Sequence, residues 1–253
     1  NIVISHGENA PFYPCDFVFI HGCYRSMELA QGHSPSKMSR IANLQRISCQ
    51  NAKQIIAVGY QAKDDLVHHF DISPQKITVL NNCVDTERFK PVISEKLTDE
   101  AKTVLFVGRL ENRKGLNTVF KLAEIIENAI GWKLLIACNT TENTRMFSDF
   151  TKTEIKIGLT IDNIYSEAYR KADIMFLPSL FEGFEMVTPE ALAAGVPVVG
   201  NKVGAIRELS DEKFPGVFLM EESYKDHLLP TFENMIHEFK IICQDIDFHS
   251  MVK

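Results

Sequence analysis

The chain has 253 residues, 45% of them apolar, 24% charged and 9% aromatic, a globular composition that excludes disordered, collagenous and coiled-coil classes. No apolar run approaches the roughly 20 residues of a membrane span, and at about 100–200 residues per domain the length allows one large or two small domains. The net charge of -6, with no dominant basic cluster, speaks against bulk nucleic-acid binding, which depends on neutralising phosphates.

Short β-branched runs alternate with helical patterns, which predicts an α/β protein with parallel sheets flanked by helices. Strands are expected at Asn1–Ser5 and Phe17–Ile20, then a helix from about Ser36 to Asn51 with Ile41, Leu44 and Ile47 on its apolar face. Gln54–Val58 reads as a strand, Asp64–Phe70 as a short helix stopped before Ser73-Pro74, and Lys76–Leu80 as the next strand. Val84–Pro91 reads as a connector. A second βα series follows: strand Thr103–Val107, helix Leu116–Asn128, strand Lys133–Ala137, a polar stretch Asn139–Thr153, strand Ile155–Ile157, helix Ile164–Lys171, strand Ile174–Leu177, helix Thr188–Ala194 and strand Pro197–Val199. Gly195 serves as a helix stop before Pro197. Two Rossmann-like domains are expected, 1–91 and 92–253, with the first incomplete. Their charges differ: nine Lys+Arg stand against eight Asp+Glu before Pro91, and 18 against 25 after it.

Six cysteines lie at irregular spacings without a C-x-x-C pair, which predicts reduced thiols in a cytoplasmic protein. The opening run Ile2–Ile4 carries no leader pattern, and the absence of an initial methionine suggests a missing amino terminus.

In doubly wound sheets, ligands bind beyond the carboxyl ends of the strands. After Thr103–Val107 come Gly108, Arg109, Arg113, Lys114 and Gly115, grouping cations with a helix amino terminus in the outline of an anion site. A loop with solvated surface charge is the other reading. After Ile174–Leu177 come Glu182 and Glu190, with Thr188 as expected cap and Pro189 in the first turn. Carboxylates at these places suit paired hydroxyls of a sugar, although Glu190 could equally serve the helix dipole.

The stretches VLFVGRLENRKG (104–115) and ADIMFLPSLFEGFEMVTPEALAAGVPVVG (172–200), followed by NKVGAIREL, resemble the retaining glycosyltransferases of family 4, which have the GT-B fold. IIAVGYQAKDDL (55–66) and KITVLNNCVDTERFKP (76–91) reinforce the match, which is close over about Ile55–Glu208, looser before it and faint after Ser210. The resemblance implies that Arg109 and Lys114, beside Gly108, bind the donor diphosphate. It gives Glu182 the donor sugar, Glu190 the ribose and the backbone at Ile157-Gly158 the base edge, while amides from Phe184 through Glu185 and Met186 to Val187 complete the phosphate site. His21 would contact the transferred sugar.

The implied substrate is a nucleoside-diphosphate sugar of UDP or GDP type, with no metal and no separate cofactor. The implied partner is a glycan or lipid-linked acceptor. Glu185 stands where many relatives have glycine, Asn81 where proline is usual and Cys83 where glycine is usual. His6 and the His68-His69 pair receive no chemistry, and Asp245-Ile246-Asp247 reads as solvated surface. Leu29–Lys63 holds five Lys+Arg and no acidic residue, a candidate contact for an anionic lipid surface or phosphorylated acceptor, with a polar helix face as the plainer reading. A non-catalytic sugar-nucleotide-binding subunit and a phosphorylase or epimerase are the rival functions, and the oligomeric state is left open.

Overall fold

The computed structural model describes residues 1–91, 101–221 and 228–245, with side chains described through 241. It divides into two compact units. One comprises Asn1–Cys83 with Leu180–Glu185 and Val203–Glu208; the other comprises Val84–Ser179, Met186–Lys202 and the described residues from Leu209 on.

The first unit carries strands β1 (Ile4–His6) and β2 (Phe17–Ile20), helices α1 (Tyr24–Ala30) and α2 (Arg40–Asn51), strand β3 (Gln54–Ala57), helix α3 (Tyr60–Phe70) and strand β4 (Ile77–Val79). The strands form one parallel sheet in chain order. Its core is built from Val18, Ile20, Ile55, Ala57, Leu66 and Phe70, so these short β-branched strands are held by helices packed on them.

Two expectations need correction here. Helix α1 was not foreseen, because its buried residues are Arg25 and Glu28, which pair at 3.2 Å. Helix α2 starts at Arg40, where Ser39 accepts from Ala42 N, and it buries Ala42, Gln45, Ser48 and Cys49 rather than the expected Ile41, Leu44 and Ile47. Gln45 makes that inversion favourable: its side chain accepts from Tyr24 N at 2.9 Å and donates to Gly22 O at 2.9 Å, satisfying backbone that burial would otherwise leave unpaired.

The second unit runs β5 (Lys102–Val107), α4 (Leu116–Asn128), β6 (Trp132–Cys138), β7 (Thr153–Ile157), α5 (Ile164–Glu167), β8 (Ile174–Leu177), α6 (Val187–Ala193), β9 (Val198–Gly200), α7 (Gly204–Asp211), β10 (Val217–Leu219) and α8 (Leu228–Asp245). Helix α7 begins in segments assigned to the first unit. The expected helix 164–171 breaks at Ala168 (φ -127, ψ -69) into α5 and a 3-10 turn, Tyr169–Lys171. The polar stretch 139–153 contains a further 3-10 turn, Thr144–Phe147, pinned by buried Phe147. Helix α7, strand β10 and helix α8 were not anticipated.

The six strands are parallel, in the order β10-β9-β8-β5-β6-β7. Counted within this unit, that is the doubly wound dinucleotide-fold order, and its direction of winding reverses between β5 and β8. Phe106, Leu116, Leu134, Phe176 and Phe232 lie in the core that carries both strands. The loops following β5 and β8 therefore leave the sheet at its switch point, where a crevice opens for topological reasons.

Candidate functional site

In the second unit, Gly108 ends β5 with φ +151, and its N–H donates to Ala137 O at 3.0 Å. A Cβ there would meet the Phe106 ring at 3.6 Å and Lys114 Cδ at 3.9 Å, so the lysine stem runs over this glycine. The 3-10 turn Asn112–Lys114 and Gly115 (φ +79) lead into α4. A Cβ on Gly115 would lie 2.3 Å from Pro178 O, so only glycine lets the β5 and β8 loops approach this closely.

A cavity of about 350 Å³ lies beyond the carboxyl ends of β5 and β6 and is lined by Gly108, Arg109, Arg113, Lys114, Asn139 and Ile164, among others. Glu111 sits among the cations, 3.3 Å from Arg109 and 2.8 Å from Arg113. Three cations against one carboxylate leave the loop with an excess of positive charge. The N–H groups of Gly115 and Leu116 go to Asn112 O and Glu111 O, so the expected helix amino terminus is already partly satisfied and the side chains carry the positive field. Gly158, next in the chain to the cavity-lining Leu159, is exposed, with φ +72 and open space where a Cβ would stand.

Helix α6 starts at Val187 with Met186 in the cap position and no side-chain cap bond. This corrects the expectation that Thr188 caps it: Thr188 is fully buried in the first turn. Glu190 accepts a 2.6 Å hydrogen bond from Tyr169, whose ring is fully buried and packs edge-on against Phe89 at 5.5 Å. Burial raises the Glu190 pKa, and the tyrosine bond pulls it partly back. The buried phenol thus orients this carboxylate.

The remaining candidates lie in the first unit. His21 follows β2, and the segment Glu182-Gly183-Phe184 packs against it so closely that a Cβ on Gly183 would fall 1.8 Å from His21 O. Glu182 is buried beside Gly204, whose added Cβ would stand 2.5 Å from Glu182 Cβ. Glu185, the departure noted in the sequence, accepts from Ala205 N at 2.9 Å and Ile206 N at 3.4 Å and so serves the start of α7. Asn81, the other polar departure, donates at 3.0 Å to Glu208, which also accepts from Gln61 N at 3.4 Å. Gly204 N in turn donates to Gln61 at 2.6 Å, so α3 and α7 cap one another reciprocally. Cys83 is exposed and unpaired.

His6, given no role above, lies 3.3 Å from His21, ring nitrogen to ring nitrogen. Burial, then the neighbouring His6, lowers the His21 pKa. The His68 and His69 rings meet each other edge-on, at 4.6 Å. Among the described residues no group of three His, Cys, Asp or Glu is placed to hold a metal, and no helix is long and apolar enough to cross a membrane. Asp247 lies outside the described residues.

Two parallel sheets flanked by helices, with a cationic cavity beyond the carboxyl ends of the strands, define an α/β protein of GT-B type. A family model described as Glycosyl transferases group 1 matches residues 101–236 and one described as Glycosyltransferase Family 4 matches residues 3–88. The chain belongs to the group 1 glycosyltransferases. These matches extend well beyond the stretch 55–208 that the sequence motifs made plain.

An uncharacterized glycosyltransferase of Methanocaldococcus jannaschii is 26% identical over 70% of this chain and 49% of its own length. The D-inositol 3-phosphate glycosyltransferase of Corynebacterium kroppenstedtii is 26% identical over 77% of this chain and 48% of its own. The chain thus spans about half the length of these relatives. In fold it is similar to the sucrose-phosphate synthase of Thermosynechococcus elongatus (TM-score 0.71, 15% identity, 99% of this chain and 66% of that one). It is also similar to Anabaena HepE solved with UDP-glucose (TM-score 0.65, 15% identity, 97% and 79%).

Proposed function

We propose that this chain carries the donor side, 92–253, and part of the acceptor side, 1–91, of a retaining, metal-independent hexosyltransferase. Its donor is a nucleoside-diphosphate sugar of UDP or GDP type and its acceptor a glycan or lipid-linked molecule, in surface polysaccharide or glycoconjugate synthesis on the cytoplasmic side of a membrane. The observation that carries this reading is the cavity beyond the carboxyl ends of β5 and β6, beside the switch point, with Arg109 and Lys114 on its wall, together with a phenol-oriented Glu190 on the helix after β8.

As the bond from the sugar C1 to the diphosphate oxygen stretches, negative charge gathers on the diphosphate. Cations fixed beforehand by the Gly108 and Gly115 turns stabilise that charge more than they stabilise the ground state. Glu190 takes the ribose hydroxyls, Glu182 and His21 hold the hexose, and the Gly158 backbone meets the base. The acceptor hydroxyl attacks on the face the diphosphate leaves, and its proton passes to the departing phosphate oxygen. Configuration is thereby retained without an enzyme nucleophile. Glu185 holds α7 by its carboxylate and offers its backbone to the phosphates with Phe184, Met186 and Val187.

The test is calorimetric titration of the chain with UDP, GDP and ADP, with and without magnesium, beside Lys114→Ala. Micromolar binding of one nucleotide, indifferent to magnesium and lost in the variant, is the expected result. Equal binding by the variant, or binding that requires magnesium, refutes the proposed donor site.

A further inference from the structure

His6 closes β1 and His21 follows β2 by one residue, and in the parallel register His6 stands opposite Phe19. The His6 ring lies 5.2 Å from the Phe19 ring and 5.5 Å from that of His21, and the two imidazoles are within 8° of parallel. With 3.3 Å between His6 Nδ1 and His21 Nε2, that centroid separation matches two rings lying edge to edge in nearly one plane. Two imidazole nitrogens form such a bond only when one carries a proton and the other a lone pair. The pair therefore holds one proton between its facing nitrogens, and His21 Nε2 is engaged within the protein.

We propose that His6 is a positioning residue: by engaging His21 Nε2 it fixes the ring and tautomer of His21 and reserves Nδ1 for a hydroxyl of the donor sugar. This rests on the reading of His21 given under Proposed function. Glu8, on the loop after β1, is turned to the Tyr24 hydroxyl at 3.4 Å, and the 182–184 segment meets His21 through Gly183 at its backbone carbonyl. Phe19 stacks on His6 without offering a polar group, so ring orientation and nitrogen pairing are set by different neighbours and separate by mutation.

The experiment is ring-nitrogen NMR of the 15N-labelled chain, comparing the wild type with His6→Phe and His6→Asn. The phenylalanine keeps a flat ring against Phe19 without a nitrogen; the asparagine returns an amide near the Nδ1 position. One dominant His21 tautomer is expected in the wild type and in His6→Asn, and averaging of two tautomers in His6→Phe, with amide spectra showing that each variant is folded. His6→Ala replaces the phenylalanine if that variant fails to fold.

In parallel, His6→Phe is expected to weaken nucleotide-sugar binding about tenfold while leaving the bare nucleotide unaffected, with His6→Asn restoring most of the loss. An unchanged His21 tautomer in His6→Phe overturns the proposal. A changed tautomer, with sugar affinity untouched there and in His21→Ala, overturns the assignment of His21 to the sugar, whatever the nucleotide titrations show.

Discussion

Gly115→Ala tests whether the close approach of the β5 and β8 loops holds the cationic turn of the proposed donor site in place. Alanine at φ +79 pays the left-handed penalty of about 1–2 kcal/mol. Its Cβ would also stand 2.3 Å from Pro178 O and 2.8 Å from Pro178 Cγ, so the β5 and β8 loops must part. Such overpacking costs about 1–3 kcal/mol. Gly131→Ala is the internal control, since Gly131 has φ +76 and no atom within 4 Å of an added Cβ, and thus meets the dihedral cost alone. The gain from a stiffer unfolded chain is common to both variants and cancels. The difference between them should therefore be about 1–3 kcal/mol, or about 3–9 °C in melting temperature, read by calorimetry or urea titration. Nucleotide affinity should fall with it, because Lys114 precedes the displaced residue, whereas Gly131→Ala should leave affinity intact. Equal melting temperatures, or undiminished nucleotide affinity in Gly115→Ala, would refute the argument.

Tyr169→Phe should cost about 1.5–3 kcal/mol, the worth of a buried hydrogen bond to a charged carboxylate. It should also narrow the discrimination between a nucleotide and its 2′-deoxy form, a difference that would persist if Glu190 took no part in ribose binding. Asp65, on α3, has a pKa pushed by burial from 3.8 up to about 6. Its folded form binds the proton more tightly, so stability falls as pH rises from about 4 to 6, and the full cost persists above that window. The shift implies about 3 kcal/mol, reduced to about 1–2 by partial solvent screening. Asp65→Asn should therefore raise stability by about 1–2 kcal/mol at pH 7.5 and by almost nothing at pH 4, and an equal gain at both would contradict burial as the cause. Glu185→Ala removes the acceptor for Ala205 N and Ile206 N and should cost about 1–2 kcal/mol in denaturant titration, with Glu185→Gln recovering part of the loss.

The legibility of this chain follows the distance over which its partners act. Strands β5 and β8 read directly from sequence because both are buried on two faces, giving unbroken apolar runs, and their following loops are marked by Gly108 and Gly115, whose positive φ leaves a trace as residue identity. Helices α1 and α2 misled because a hydrophobic stripe is only one way to bury a face. Arg25 donates to the carbonyls of Ser34 and Lys37 as well as to Glu28, and Gln45 satisfies two backbone groups, so polar residues occupy positions where apolar periodicity was sought.

Glu185, Glu208 and Asn81 show the same limit at the candidate site. Each looked like a departure from a motif or had no local reading, while its partners stand from 20 residues away, for Glu185, to 147, for Glu208, a separation no periodicity encodes. The buried Tyr169 beneath Glu190 belongs to this class, 21 residues from the carboxylate it orients. Sequence motifs pointed to the groups proposed to meet a ligand, because those must carry particular chemistry. The groups that aim them needed only to arrive at the right place, and many residue types at many positions can do that. The His6 and His21 pair joins the two cases: each strand end is visible alone, but the parallel register of β1 on β2 is what turns two separate histidines into one hydrogen-bonded unit.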